Sequence, residues 1–228
     1  MLGRRATAVV GEVVRRVGAA LAVGACATLI VGCSALGPAD GIGPPEASAA
    51  AVHGTFAVVG DSIADADSPD FAAGDLGAGS WATYVVDDGF AFSGGWAEWG
   101  ATTGMMADSV GSIEADVLVI LAGTNDVAFN IPFDESAANL DRIVDDVVGI
   151  EDVVVVSIPP MDPAGADAYN EHLADLAGDR GWRFVDASVG LRTADGRFRD
   201  GMSFDGLHPS VDGARMLGEA IAAGLREG

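Results

Sequence analysis

Three groups of residues able to support acyl transfer fall just after apolar runs or before a helix in this 228-residue chain. Gly60-Asp61-Ser62 follows "TFAVV" (55–59), Asn125 follows "DVLVILAG" (116–123), and Asp205 and His208 stand together in "FDGLHPS" (204–210). Acyl transfer needs a nucleophile, a base within hydrogen-bond reach, a group that orients the base, and donors for the developing oxyanion. Of the three histidines, His53 falls in a segment without apolar period, and His172 lies within a charged helix and is expected to be solvated. His208 is the base candidate, because an Asp–x–x–His turn can set the carboxylate against one ring nitrogen and leave the other free to take a proton. Each residue also has a plainer reading: Ser62 as a helix cap, Asn125 as a turn residue, and Asp205 with His208 as a surface ion pair.

Other chemistries find no residues. There is no G-x-S-x-G, so the nucleophile elbow of α/β-hydrolases is absent. No two histidines are spaced for a zinc helix, and every basic side chain is arginine, so a phosphate loop ending in lysine is excluded. The acidic stretch Asp65, Asp67, Asp70 and Asp75 lacks the glycine of a calcium loop and has Pro69 at a ligand position, which favours a solvated rim. A formal charge of −22 argues against nucleic-acid partners, since binding phosphates requires cations that displace counterions. No metal and no cofactor is expected.

The elements that would carry these residues alternate. Apolar runs at 55–60, 90–94, 116–123, 152–160 and 182–188 read as strands. Helices are expected over 80–88, 105–115, the segment after Pro132, the segment from Ala166 to Gly181, and 211–225. In the third of these, Leu140, Ile143, Val144, Val147 and Val148 fall on one helical face. Alternation of this kind, with several strands apolar on both faces, predicts an α/β fold with a five-stranded parallel sheet covered on each side. Ligands of such sheets collect at the carboxyl ends of the strands, so Ser62, residues 95–102, Thr124-Asn125-Asp126, Pro159–Asp162 and the stretch before the last helix are the places to inspect.

Gly60-Asp61-Ser62, Gly100 in "WGATTG", Gly123-Thr124-Asn125-Asp126 and Asp205-Gly206-Leu207-His208 occur in this order, and the domain from residue 54 onward resembles the SGNH (GDSL-type) hydrolases. The resemblance implies a three-layer α/β/α sandwich of flavodoxin-like topology and hydrolysis of carboxylic esters through an acyl-enzyme. It implies Ser62 as nucleophile, His208 as base and Asp205 as its partner. The oxyanion hole would be the backbone N–H groups of Ser62 and Gly100 and the side-chain amide of Asn125. Asp61 and Asp126 belong to the motifs as structural residues. Ile63 stands where the family has Leu, and Gly95 where many members have Asn. Gly94 and Gly95 compete with Gly100 for the oxyanion role, and the Ala-Thr-Thr that follows favours Gly100. Trp96 and Trp99 flank that glycine and would either line a pocket or pack in the core. The family spans acetylated carbohydrates, simple esters, lysophospholipids and thioesters; small acyl or carbohydrate esters are favoured, because residues 63–79 form no greasy flap. An acyltransferase using the same site, a lysophospholipase or thioesterase, and a catalytically idle binding lipoprotein are the alternatives.

The N-terminus reads as an address. Arg4, Arg5, Arg15 and Arg16 precede an uncharged stretch, 18–32, of the length of a signal-peptide core. It ends in Ile30-Val31-Gly32-Cys33, which resembles the bacterial lipobox and makes Cys33 the expected lipidation site. Residues 1–32 are then a signal peptide, 33–53 a Gly/Ala/Pro/Ser-rich linker, and 54–228 the folded domain, expected to be a monomer. The protein is expected outside the cytoplasmic membrane, held to its outer face by lipid on Cys33, and with Cys26 removed no disulfide is possible.

Overall fold

Thr55–Gly60, with every residue after Thr55 buried, forms strand β1, an inner strand of the sheet. The computed structural model describes residues 53–147, 149–150, 152–161 and 165–228. Residues 1–52, which include the expected signal peptide, Cys33 and most of the expected linker, lie outside the described residues, as do Val148 and Asp162. After β1 come α1 (Ser62–Asp65), α2 (Trp81–Asp87), β2 (Ala91–Ala97), α3 (Thr103–Ser109), β3 (Val117–Leu121), α4 (Thr124–Phe129) and α5 (Phe133–Asp146). The chain continues through β4 (Asp152–Val156), α6 (Ala166–Arg180), β5 (Arg183–Val185), a 3₁₀ turn (Ala187–Gly190) and α7 (Val211–Arg226).

Among the described residues all four strand pairings are parallel and the order is β2-β1-β3-β4-β5. This is the doubly wound 2-1-3-4-5 arrangement, whose switch point lies between β1 and β3. Helix α2 packs on α7, while α3 packs on α5 and α5 on α6, giving helical layers around a sheet whose strands β1, β3 and β4 are buried along nearly their whole length. The layered α/β fold expected from the alternation is present.

Several boundaries differ from the sequence reading. β2 runs on to Ala97, because Gly94 and Gly95 extend the pairing with β1 through a bulge instead of ending it. Gly95 is required there: a Cβ would lie 2.0 Å from the Val58 carbonyl oxygen. Helix α3 starts earlier, where the Thr102 hydroxyl accepts the Met105 N–H, and stops at Val110, whose extended backbone and Gly111 leave 110–115 irregular. β4 ends before the prolines because the Asn170 side chain takes both the N–H and the carbonyl of Ile158, at 2.8 and 3.0 Å, replacing sheet partners. Helix α4 stands between β3 and α5, where the sequence pattern marks no element. His53 is tied to the domain, its N–H donating to the Gly89 carbonyl at 2.8 Å and its ring 5.5 Å from Phe90.

Candidate active site

Ser62 is the second residue after the end of β1 and the first of α1, 7% exposed. The cap of this short helix is Asp61, whose Oδ1 accepts the Ile63 N–H at 2.9 Å. The capping role open to Ser62 is therefore taken by its neighbour, and the Ser62 hydroxyl is free to face the crevice. It lies 2.9 Å from His208 Nε2.

His208 arrives on the loop before α7. Asp205 Oδ2 is 2.7 Å from His208 Nδ1, and Asp205 Oδ1 accepts the N–H groups of Leu207 and His208 at 2.9 and 2.7 Å. The Ser203 hydroxyl donates to the His208 carbonyl at 2.7 Å and closes the same turn. Partial burial raises the Asp205 carboxyl, but His208 and the two amide groups outweigh it and hold the group below its ordinary value. An ionised Asp205 fixes the proton on Nδ1 and leaves Nε2 with a lone pair toward Ser62. Ser62, His208 and Asp205 are thus brought into one hydrogen-bonded line from segments 146 residues apart.

Gly100 follows β2 at the same end of the sheet, with φ +74° and nothing within 4 Å of where a Cβ would stand. Its N–H has no acceptor among the described residues. Asn125, in the first turn of α4, donates from Nδ2 to the Ala101 carbonyl at 2.9 Å, so this amide holds the Gly100 loop and keeps a second N–H for other use. Gly94 and Gly95 belong to β2, where they serve strand pairing.

Beneath these residues lie two fully buried carboxylates. Asp126 accepts the Thr103 N–H at 2.9 Å, the Thr103 hydroxyl at 2.5 Å and the Ser136 hydroxyl at 2.7 Å, tying α3, α4 and α5 together. Asp61 is less well provided: among the described residues Oδ2 has no hydrogen-bond partner, and neither has the buried hydroxyl of Thr124 close by. Burial pushes the Asp61 carboxyl from 3.8 up to about 6, opposed by the Ile63 N–H, Thr124 and His208 and reinforced by Asp126.

A cavity of about 130 Å³ opens beside Ser62 and His208, with Trp99, Phe204, Ile63 and Val211 in its wall. The His208 ring is 5.0 Å from the Trp99 ring and stacked 5.7 Å from Phe204. The two tryptophans therefore part company: Trp96 is half-buried on β2 against the core, and Trp99 lines the cavity. Phe204 and Asp65 escape the sequence reading. Asp65, expected to be solvated rim, accepts the Trp99 Nε1–H at 2.9 Å. The available signal was position alone, Phe204 directly before Asp205 and Trp99 directly before Gly100.

The model of the GDSL-like lipase/acylhydrolase family matches residues 58–216. The fold is similar to that of a catalytic mutant of Axe2, an acetylxylan esterase from Geobacillus stearothermophilus, at 21% identity and a TM-score of 0.57 over 78% of this chain and 94% of that one. It is also similar to a GDSL-like lipase from Bacteroides thetaiotaomicron, at 17% identity and a TM-score of 0.56 over 76% and 88% of the two chains. No curated protein matches the sequence.

Proposed function

Because the chain belongs to the GDSL-like lipase/acylhydrolase family and is an ester-hydrolysing enzyme, we propose that Ser62, His208 and Asp205 cleave small acyl or carbohydrate O-acyl esters through an acyl-enzyme. The observation that carries this reading is the line Ser62 Oγ–His208 Nε2, 2.9 Å, and His208 Nδ1–Asp205 Oδ2, 2.7 Å. Ser62 Oγ attacks the ester carbonyl while Nε2 takes its proton; the carbonyl π pair moves onto oxygen. The oxyanion is met by the N–H groups of Ser62 and Gly100 and the amide of Asn125, neutral fixed donors where negative charge develops. The imidazolium, stabilised by Asp205, gives its proton to the departing alkoxide. Water then repeats the sequence on the acyl-serine, releasing the acid and restoring Ser62.

The small cavity beside Ser62 and the fold shared with an acetylxylan esterase support the choice of short acyl groups. The uncharged stretch 18–32 ending at Cys33 supports export and a lipid anchor on Cys33 at the outer face of the cytoplasmic membrane. The test of the catalytic reading is hydrolysis of p-nitrophenyl acetate by the purified domain, expected to vanish in Ser62→Ala. Equal rates in both proteins would remove Ser62 from the nucleophile position. For the anchor, Cys33→Ser is expected to move the protein from the membrane fraction to the medium; retention on the membrane would refute it.

A further inference from the structure

We infer that Trp99, held in place by Asp65, is the wall that limits the acyl group to about four carbons, so that the Asp65–Trp99 pair sets chain-length specificity. The inference rests on Ser62 being the nucleophile. The cavity that starts at Ser62 holds about 130 Å³; Ile63, Ala66, Trp99, Phe204, Pro209 and Val211 make most of its wall apolar, and Asp67 is the one carboxylate at it. A dry apolar cavity of about 150 Å³ takes one benzene, six carbons. By the same proportion, the space beside Ser62 has room for about five non-hydrogen atoms, the size of a butyryl group.

The two sides of the cavity differ in how they could yield. On one side, Ala66 is the left-handed cap of α1, at φ 45°. Gly79 lies so close to it that an added Cβ would stand 3.3 Å from both the Cβ and the carbonyl oxygen of Ala66. That side is backbone on backbone. The other side is the indole of Trp99, which belongs to an exposed turn and is itself 45% exposed. A side chain so placed would ordinarily sample several rotamers. Here its Nε1–H is fixed on Asp65 Oδ1 at 2.9 Å, and its ring lies 5.0 Å from His208. Asp65 is fixed in turn: the same Oδ1 accepts the Asp67 N–H at 3.1 Å, and the Asp65 carbonyl accepts the Ser68 N–H at 2.9 Å and the Ser68 hydroxyl at 2.5 Å. The carboxylate makes a charge-assisted bond, stronger than one to a neutral acceptor. A wall built from a mobile side chain thus becomes rigid through one hydrogen bond from the end of α1.

The experiment measures kcat/KM for p-nitrophenyl acetate, butyrate, hexanoate and octanoate, each variant being scored by its octanoate-to-acetate ratio. Trp99 also touches His208, so its variants lower every rate, and the ratio removes that shared loss. The wild-type ratio is expected below 0.1. Trp99→Ala is expected to raise it at least tenfold, and Trp99→Phe, which keeps the ring but loses the N–H, to raise it several-fold. Asp65→Ala should match Trp99→Phe, whereas Asp65→Asn, which retains an acceptor oxygen, should stay near wild type. Ratios unchanged in Trp99→Ala would overturn the assignment and place the alcohol half of the ester in the cavity. Equal ratios in Asp65→Ala and Asp65→Asn would overturn the role of the hydrogen bond. A wild-type protein inert toward all four esters would instead refute the proposed function, and this inference with it.

Discussion

Replacing Asp205 by asparagine separates its two jobs. One oxygen, Oδ1, holds the N–H groups of Leu207 and His208, while the other, Oδ2, meets His208 Nδ1. An asparagine at 205 must keep its carbonyl oxygen toward the two backbone donors, because its amide nitrogen there would face two N–H groups with no acceptor between them. The amide nitrogen is then forced against Nδ1. It donates, so Nδ1 becomes the acceptor and the ring proton moves to Nε2, where it points at Ser62. A base with its proton already in place cannot take another. The same exchange in a Ser-His-Asp protease lowers kcat about 10⁴-fold with the geometry intact, about 5 kcal/mol of barrier. Asp205→Asn is therefore expected to lose about 10³ to 10⁴ in kcat on p-nitrophenyl acetate, with KM little changed and the melting temperature within about 2 °C of wild type. Asp205→Ala abolishes the turn bonds as well. At this exposed site they contribute about 1 kcal/mol, so the melting temperature should fall by about 3 °C in addition to the kinetic loss. An Asp205→Asn enzyme within tenfold of wild-type kcat would refute the tautomer argument.

Further outcomes follow from the same structure. Asn125→Ala removes one of the proposed oxyanion donors and is expected to lower kcat about 10² to 10³-fold, measured on the same ester. Gly100→Ala meets no atom within 4 Å but places Ala at φ +74°, and should cost about 1–2 kcal/mol in urea unfolding; Gly95→Ala drives a Cβ into the Val58 carbonyl and should not give folded protein. Asp61 has a folded pKa raised from 3.8 to about 6, so the native state keeps a proton that the unfolded chain loses, and its contribution to stability declines as pH rises through that window. Asp61→Asn does not titrate; its stability relative to wild type should grow by about 2 kcal/mol between pH 4.5 and pH 7.5 in urea melts, and a constant difference would contradict the buried-carboxyl reading.

What the sequence makes legible are features that local chemistry decides. Apolar runs such as Val117–Leu121 announce buried strands, and Asp205 and His208, three residues apart, announce their own contact. Ser62, Gly100 and Asn125 become one site only through the parallel sheet, whose alternation is visible in the pattern. Features made by distant packing are not legible. Asn170 ending β4, Asp65 holding Trp99, and α4 beginning directly at Thr124 all depend on partners with no fixed spacing in the chain. The glycines show the same limit: the Ala-Thr-Thr that follows favours Gly100 over Gly95, but only the approach of Val58 gives the physical reason that one serves the sheet and the other faces open space.

The measurement that bears most directly on the proposed mechanism is covalent capture of the nucleophile. The purified domain would be treated with a fluorophosphonate, then analysed by intact mass and peptide mapping, with esterase activity followed in parallel. One adduct per chain on Ser62, forming at the rate at which activity disappears and absent in Ser62→Ala, is the expected result. Full activity with no adduct, or an adduct on another residue that tracks the loss of activity, would contradict it.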